Sequence, residues 1–160
     1  MAKKVKVKKT LVQQILTKAG ISHTGIQINA LEGEMPQGYE KSQIFKTLAL
    51  LGDKTGPIIG IVPITEHLSE KKLAKISGNK KVSMIPQKDL EKTTGYIHGA
   101  NNPVGIRQKH NYPIFIDQTA LQLNEMIVSA GEVGHSIIIN PQDLATFVKA
   151  EFADILEASN

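Results

Sequence analysis

A mixed-sheet α/β fold is predicted by three observations. Short runs of β-branched residues are interleaved with amphipathic stretches, but not in the strict strand–helix order of a doubly wound sheet. At 160 residues the chain is long enough for one domain with a two-layer core and too short to require a second. That core must be aliphatic, because 41% of the residues are hydrophobic while only 4% are aromatic and none is Trp, and interiors rich in Ile and Val suit sheets. About six strands and five helices are expected.

Residues 1–9 carry Lys3, Lys4, Lys6, Lys8 and Lys9 and read as a basic, mobile tail. Thr10 is placed to cap a helix: Gln13 completes a capping box, and Leu11, Val12, Ile15, Leu16 and Ala19 make one apolar face that Gly20 ends. Ile21–Ile28 is β-rich and reads as a strand, and the segment Asn29–Gly38, with its Gly and Pro, as the longest loop. Over Tyr39–Leu51, the residues Ile44, Phe45, Leu48 and Leu51 recur at helical spacing, which predicts a helix with Lys46 at the edge of its apolar face. A hairpin-like connection then leads to Pro57–Ile64, a nearly unbroken apolar run expected to be a buried central strand. Leu68 and Leu73 flank Ser69 at the spacing of a hydrophobic staple, which predicts a short basic helix that runs to Ile76 and ends near Gly78. Lys81–Ile85 is a strand, after which Pro86 opens a helix that Gly95 closes. Strands at Pro113–Asp117, Met126–Ser129 and Ser136–Ile139 follow. Asn140 caps the last helix with Pro141 at its first position; Leu144, Phe147 and Val148 face inward, and Phe152, Ile155 and Leu156 extend that surface.

Composition removes several chemistries. With no Cys, the chain has no disulfide, no thiolate nucleophile and no Cys-ligated metal. The histidines, His23, His67, His98, His110 and His135, include no pair at helical ligand spacing, so neither a metal nor a cofactor is expected. Neither Ser129 nor Ser136 sits in Gly-x-Ser-x-Gly. Gly52-Asp53-Lys54-Thr55 lacks the glycine spacing of a phosphate loop. No apolar run reaches membrane-spanning length and no secretory signal follows the first lysines, so a cytoplasmic protein is expected. The net charge of +4 is concentrated in the tail, where five of the 19 basic residues stand against 15 acids in the whole chain. A second cluster, Lys71, Lys72, Lys75, Lys80 and Lys81, is a candidate contact for an RNA backbone, or else a solvated helix face.

Three glycines and a proline within Gly95–Gly105 predict a tight loop. Tyr96 and Ile97 would begin a strand, Gly99 and Gly105 would take positive φ, and Pro103 would stiffen the return. Such a loop can turn backbone N–H groups toward one point and hold an oxyanion or a phosphate; an ordinary connecting turn is the alternative. Lys46 inside the run Ile44–Leu48, and the small residues that interrupt Ile127–Gly134, complete a set suited to an anionic or ester-bearing ligand.

In their order and spacing these stretches resemble the YbaK/EbsC family, free-standing editing domains related to prolyl-tRNA synthetase that deacylate mischarged tRNA. The resemblance runs from about Leu11 to Ile155. It is strongest at Phe45-Lys46-Thr47-Leu48, at Thr94-Gly95-Tyr96 with Gly99 and Pro103-Val104-Gly105, and at Val128-Ser129 with Gly131 and Gly134. Two positions depart from it: Gly99-Ala100 stands where a Gly-Gly pair is usual, and Val133 where an arginine commonly precedes Gly134. The resemblance implies a mixed β-sheet or partly closed barrel surrounded by helices. It implies removal of cysteine from Cys-tRNA(Pro), with the substrate's own thiol attacking the ester. Lys46, Gly99 and Ala100 are then implied as catalytic, with N–H groups near Gly99, Ala100 and Gly131 facing the oxyanion. Ser129, Gly131, Tyr96, Pro103 and Thr47 are implied as substrate-binding. Aminoacyl-tRNA, with prolyl-tRNA synthetase beside it, is the implied partner, with neither DNA nor a membrane. A deacylase for another small amino acid such as alanine, and a non-catalytic tRNA-binding module, stay open as alternatives.

Overall fold

The computed structural model describes residues 9–28, 32 and 34–158; the tail up to residue 8 and positions 29–31 and 33 of the expected long loop lie outside the described residues. In order, the chain forms α1 (Leu11–Lys18), β1 (His23–Ile26), β2 (Phe45–Gly52), β3 (Gly56–Pro63), α2 (Glu70–Ser77), β4 (Val82–Met84) and α3 (Gln87–Thr94). Then come α4 (Pro103–Lys109), β5 (Ile114–Asp117), β6 (Met126–Glu132), β7 (His135–Ile139), α5 (Pro141–Val148) and β8 (Glu151–Ala153). The larger sheet has the order β4-β2-β3-β5-β8 and the smaller β1-β7-β6. β3–β5 and β5–β8 pair parallel and the remaining neighbours antiparallel, so the sheet is mixed as expected. The two sheets meet at a parallel bridge between Ile44 and Ile127 and do not close into a barrel.

Alternation along β2 and β3 gives the larger sheet two buried faces. Phe45, Ala49, Ile59 and Ile61 face the main core, where Val12 and Leu16 of α1, Val128 and Ile137 of the smaller sheet, and Leu144 and Val148 of α5 pack. Leu50, Ile58 and Val62 face a second core closed by Leu73 of α2 and Ile155. The helix starts follow their capping residues. Thr10 and Gln13 exchange both bonds of a capping box at 3.3 and 3.1 Å, Ser69 accepts from the Lys72 amide, and Asn140 accepts from the amides of Gln142 and Asp143.

Four expectations are corrected. The helix over Tyr39–Leu51 is a 3-10 turn at Lys41–Gln43 followed by β2, which pairs with β3 in register from Phe45↔Pro63 to Gly52↔Gly56. β2 turns apolar residues to both faces, so it has no polar alternation to display and its apolar positions can mimic helical spacing. Pairing with the adjacent apolar run outweighs the helix preference of Leu, Ala and Lys. The strand at Tyr96 and Ile97 does not form, and Gly105 does not take a positive φ, because Asn102 caps and Pro103 opens α4 with Gly105 in its first turn. Finally, Lys149 ends α5 in the left-handed region at φ 58°, so that Phe152, from β8, still packs on the core of Leu144 and Val148 while Ile155 and Leu156 turn to the second core instead.

The β2–β3 hairpin is held by a clasp. The Asn79 side chain, 7% exposed, accepts from the amides of Lys54 and Thr55 at 2.8 and 3.0 Å and donates to Thr55 Oγ1 and Ser77 Oγ. Asp53 accepts from the amides of Lys80 and Lys81, the Lys81 bond being the chief reason its carboxyl is held below the usual range. Asn79→Ala strips the two loop amides of their acceptor and should lower stability by about 1–3 kcal/mol in urea unfolding at unchanged m value. A loss below about 0.5 kcal/mol would mean that water replaces the side chain at little cost.

Candidate active site

A cavity of about 440 Å³ opens along β2 where β4 and β6 diverge, a size within the roughly 300–1,000 Å³ of small-molecule sites. β4 pairs only with Leu50–Gly52, while β6 touches β2 through the bridge at Ile44. Between those two points Lys46, Thr47 and Leu48 form a wall of the cavity. The carbonyl of Ala49 accepts from the Ile85 amide at 3.1 Å. Alternate residues of a strand turn their backbone groups to the same side, so those of Thr47 face the opening.

The opposite wall is the segment between α3 and α4. Gly95, at φ +86°, ends α3, and Gly99, at φ +90°, turns the chain back. The Ala100 amide donates to the Ile97 carbonyl at 3.0 Å, and Ala100 is buried. Asn102, fully buried, donates to the Ala100 carbonyl at 3.1 Å and accepts from the Gly105 amide at 2.6 Å as the cap of α4. On β6, a bulge between Ser129 and Glu132 lets the Gly131 amide donate to Ser129 Oγ at 3.2 Å, and that hydroxyl lies 3.5 Å from the Gly99 carbonyl oxygen. Two of the three amides expected to face an oxyanion, those of Ala100 and Gly131, are therefore already bonded. The amides of Gly99 and Asn101, on residues that line the cavity, bond to no described group.

The structure thus brings Lys46, Thr47, Gly99 and Ser129 to one cavity. It places Ala100, Tyr96, Pro103 and Gly131 behind the wall. Pro103 is buried at the first position of α4. The Tyr96 ring lies against Gly105 and Gly131, with the Lys109 ammonium 4.4 Å from its centroid. Sequence reasoning missed His98, Asn101, His135 and Ser136, all of which line the cavity. His98 adjoins Gly99 and His135 adjoins Gly134, an adjacency to the glycines that was the available signal.

Lys46 is half-buried, its ammonium makes no hydrogen bond or ion pair with a described residue, and no described Asp or Glu lines the cavity. Thr47 Oγ1 and Asn101 Oδ1 are buried without a partner, each at a cost of about 1–3 kcal/mol. Both are groups that a ligand could satisfy. Among the described residues no cluster of His, Asp and Glu is arranged to hold a metal, and no helix is long and apolar enough to cross a membrane. Of the lysines expected to meet RNA, Lys71 and Lys75 are exposed, whereas Lys72 is paired with Asp154 at 3.0 Å.

The family model for the aminoacyl-tRNA editing domain matches residues 30–147. Over 118 residues the chain is 45% identical to an Enterococcus faecalis protein provisionally named Cys-tRNA(Pro)/Cys-tRNA(Cys) deacylase EbsC, covering 74% of this chain and 71% of that one. Over 105 residues, 63% of its length, it is 28% identical to the proline–tRNA ligase of Limosilactobacillus fermentum, of which it spans 18%. It superposes on a crystal structure provisionally described as a trans-editing enzyme for prolyl-tRNA synthetase with a TM-score of 0.76 at 24% identity, over 92% of this chain and 95% of that one, a likeness of fold.

Gly105 gives this site a test with an unusual sign. Alanine ordinarily stabilises a helix relative to glycine, by about 1 kcal/mol. Here a Cβ would run into the Tyr96 ring, so Gly105→Ala should instead destabilise by about 1–3 kcal/mol in thermal or urea unfolding. A gain in stability would show that Tyr96 moves aside freely and does not brace α4.

Proposed function

We propose a trans-editing deacylase, from the premise that the chain belongs to the aminoacyl-tRNA editing-domain family. Its substrate is the aminoacyl ester at the 3′ end of mischarged tRNA, with cysteine on tRNA(Pro) as the species removed. Prolyl-tRNA synthetase, whose product it would inspect, is its partner in the cytoplasm. The observation that carries this reading is a lysine with no partner among the described residues, in a cavity that no described carboxylate lines, together with a loop whose Gly99 and Asn101 amides bond to no described group. Among the described residues that arrangement offers no general-base carboxylate and no protein nucleophile by motif. It does have what an ester in transit to a tetrahedral oxyanion requires, namely fixed donors and a positive charge in a partly dry cavity.

In the proposed reaction the substrate thiol supplies the nucleophile. Its sulfur forms a bond to the ester carbonyl carbon, the bond from that carbon to the ribose oxygen breaks, and the thiol proton ends on the ribose hydroxyl. Cysteine leaves as its thiolactone and the tRNA is freed without water entering the step. Holding sulfur and carbonyl in line can supply about 7 kcal/mol or more of the barrier reduction. Lys46 holds the tRNA terminus or polarises the carbonyl, and Ser129, bonded to the bulge behind it, keeps Gly99 in place. The two departures from the family pattern are accommodated: the Ala100 methyl packs inward, and Val133 stands exposed beside Gly99.

Lys46→Ala should abolish release of cysteine from Cys-tRNA(Pro), scored as loss of the radiolabelled ester, while the melting temperature stays nearly unchanged because the ammonium has no described partner to lose. Near-normal turnover would remove Lys46 from the site. Gly99→Ala forces a side chain into φ +90°, a strain of about 1 kcal/mol or more, and should cost most of the activity; Ala100→Gly should keep it.

The nucleophile is tested by the substrate. Seryl-tRNA(Pro) should be turned over far more slowly than cysteinyl-tRNA(Pro), because an alcohol is a poor nucleophile at neutral pH. Equal rates would replace the thiol with a bound water. Preference for alanyl-tRNA(Pro) would make the chain an alanine deacylase, and binding without cleavage of any ester would make it a non-catalytic module.

A further inference from the structure

The lysine cluster takes a different form in the structure from the one its spacing suggested. Lys72 leaves it, its ammonium held by Asp154. Lys54 joins it, because the tip of the β2–β3 hairpin is clasped to residues 79–81 through Asn79 and Asp53. Lys71 and Lys75 stand one turn apart on α2, both exposed. Lys75 borders the same clasp, since the amides of Gly78 and Asn79 return to the carbonyls of Lys75 and Ala74. Lys54, Lys80 and Lys81 are exposed too, and no ion pair engages any of the five among the described residues. Asp53 lies among them: its carboxylate accepts from the backbone amides of Lys80 and Lys81 and feels the charge of Lys54, but makes no ion pair with any of the five among the described residues.

This platform is aligned with the cavity. β4 runs from Val82 to Met84, and Met84 is part of the cavity wall. Lys81 therefore lies three strand residues, about 10 Å, from the cavity. Along β2, Lys46 and Gly52 are six residues apart, about 20 Å, and Lys54 lies just beyond. Measured from Lys46 instead, Lys81, which stands opposite Asp53, and Lys54 both lie seven to eight strand residues away, about 24–27 Å, which at roughly 3.4 Å per stacked nucleotide is about seven to eight nucleotides back from an esterified terminus seated there. That is the unpaired 3′ tail and the first pairs of an acceptor stem.

We infer that Lys54, Lys71, Lys75, Lys80 and Lys81 form a docking surface for the phosphate backbone of the substrate's acceptor arm, with the edge strand β4 guiding the 3′ tail into the cavity. Phosphate contacts position without reading sequence, so the surface sets affinity and reach while the cavity selects the amino acid. The choice of tRNA as the RNA rests on the deacylase reading; the surface itself does not.

The test uses the full chain and an uncharged RNA hairpin that carries an acceptor stem and a single-stranded 3′ tail, followed by fluorescence anisotropy from low to physiological salt. The combined variant Lys71→Ala, Lys75→Ala, Lys80→Ala, Lys81→Ala should bind at least about ten-fold more weakly, and its slope of log affinity against log salt should be shallower by about 3. A wild-type slope in that variant overturns the proposal. The reversals Lys75→Glu and Lys81→Glu, one at a time, give a second reading should the combined variant unfold, and each must weaken binding for the proposal to stand. Displacement of the hairpin by an acidic peptide at much lower concentration than by unlabelled RNA would assign the surface to an acidic protein and overturn it as well. Ester cleavage measured in parallel separates the two claims: binding lost with the lysines but no cleavage of any aminoacyl-tRNA leaves this surface standing and removes the deacylase.

Discussion

β2 is bound along one whole side and only at the two ends of the other, and the rest of the structure depends on that asymmetry. β3 pairs with it from Phe45 to Gly52. On the far side the bridge at Ile44 and the pairing with β4 at Leu50–Gly52 leave the middle of the strand without a paired neighbour among the described residues. Unpaired strand edges inside a protein are costly, because each exposed N–H and C=O has lost its hydrogen bonds to water. The molecule keeps such an edge open as the wall of a cavity, with Thr47 turning its backbone into it. What holds the gap at its width is local: Tyr39 donates to the Glu125 carboxylate at 3.0 Å and Gln43 to the Glu125 carbonyl at 3.2 Å. Those two bonds fasten the start of β6 beside the start of β2.

The opposite wall is made by close approach, not by charge. Gly105 and Gly131 let the Tyr96 ring lie between α4 and the β6 bulge, and Val12 of α1 packs from beneath at the same glycine. Arg107 extends the brace by donating from Nε to the Val148 carbonyl at 2.6 Å, which ties α4 to the end of α5. With α4 fixed at both ends, Asn102 has no freedom of its own, and the turn at Gly99 inherits that rigidity. A site that stabilises charge by backbone donors needs such support, since a donor displaced by about 1 Å contributes far less.

Much of the chain was legible from local chemistry. Capping pairs marked α1, α2 and α5 because a cap is a contact between residues three apart, and the buried run Pro57–Ile64 could be nothing but an interior strand. The same logic could have been carried further. Asn102-Pro103 repeats the signature of Asn140-Pro141 and opens a helix in the same way. Gly52 and Gly56 frame a three-residue loop between two apolar runs, which is a hairpin signal for β2 as well as for β3. The helical period over Tyr39–Leu51 points the other way, because a strand with apolar residues on both faces defeats period as a criterion.

By itself the sequence determined the aliphatic mixed-sheet class, the starts of α1, α2 and α5, the absence of any thiol and the positions of the glycines, since each is a property of composition or of neighbours within a few residues. Only the tertiary structure decided which of those glycines serve the cavity and which serve packing. It also decided that Lys46 stands on a strand edge in the same cavity as Gly99, that the Ala100 and Gly131 amides are occupied, and that Lys72 is paired while Lys54 joins the basic surface. The Ala100 and Gly131 amides are taken within their own turns, but Lys54 meets Asn79 across 25 positions, Ser129 meets Gly99 across 30 and Lys72 meets Asp154 across 82, and no local pattern encodes where residues so distant will meet.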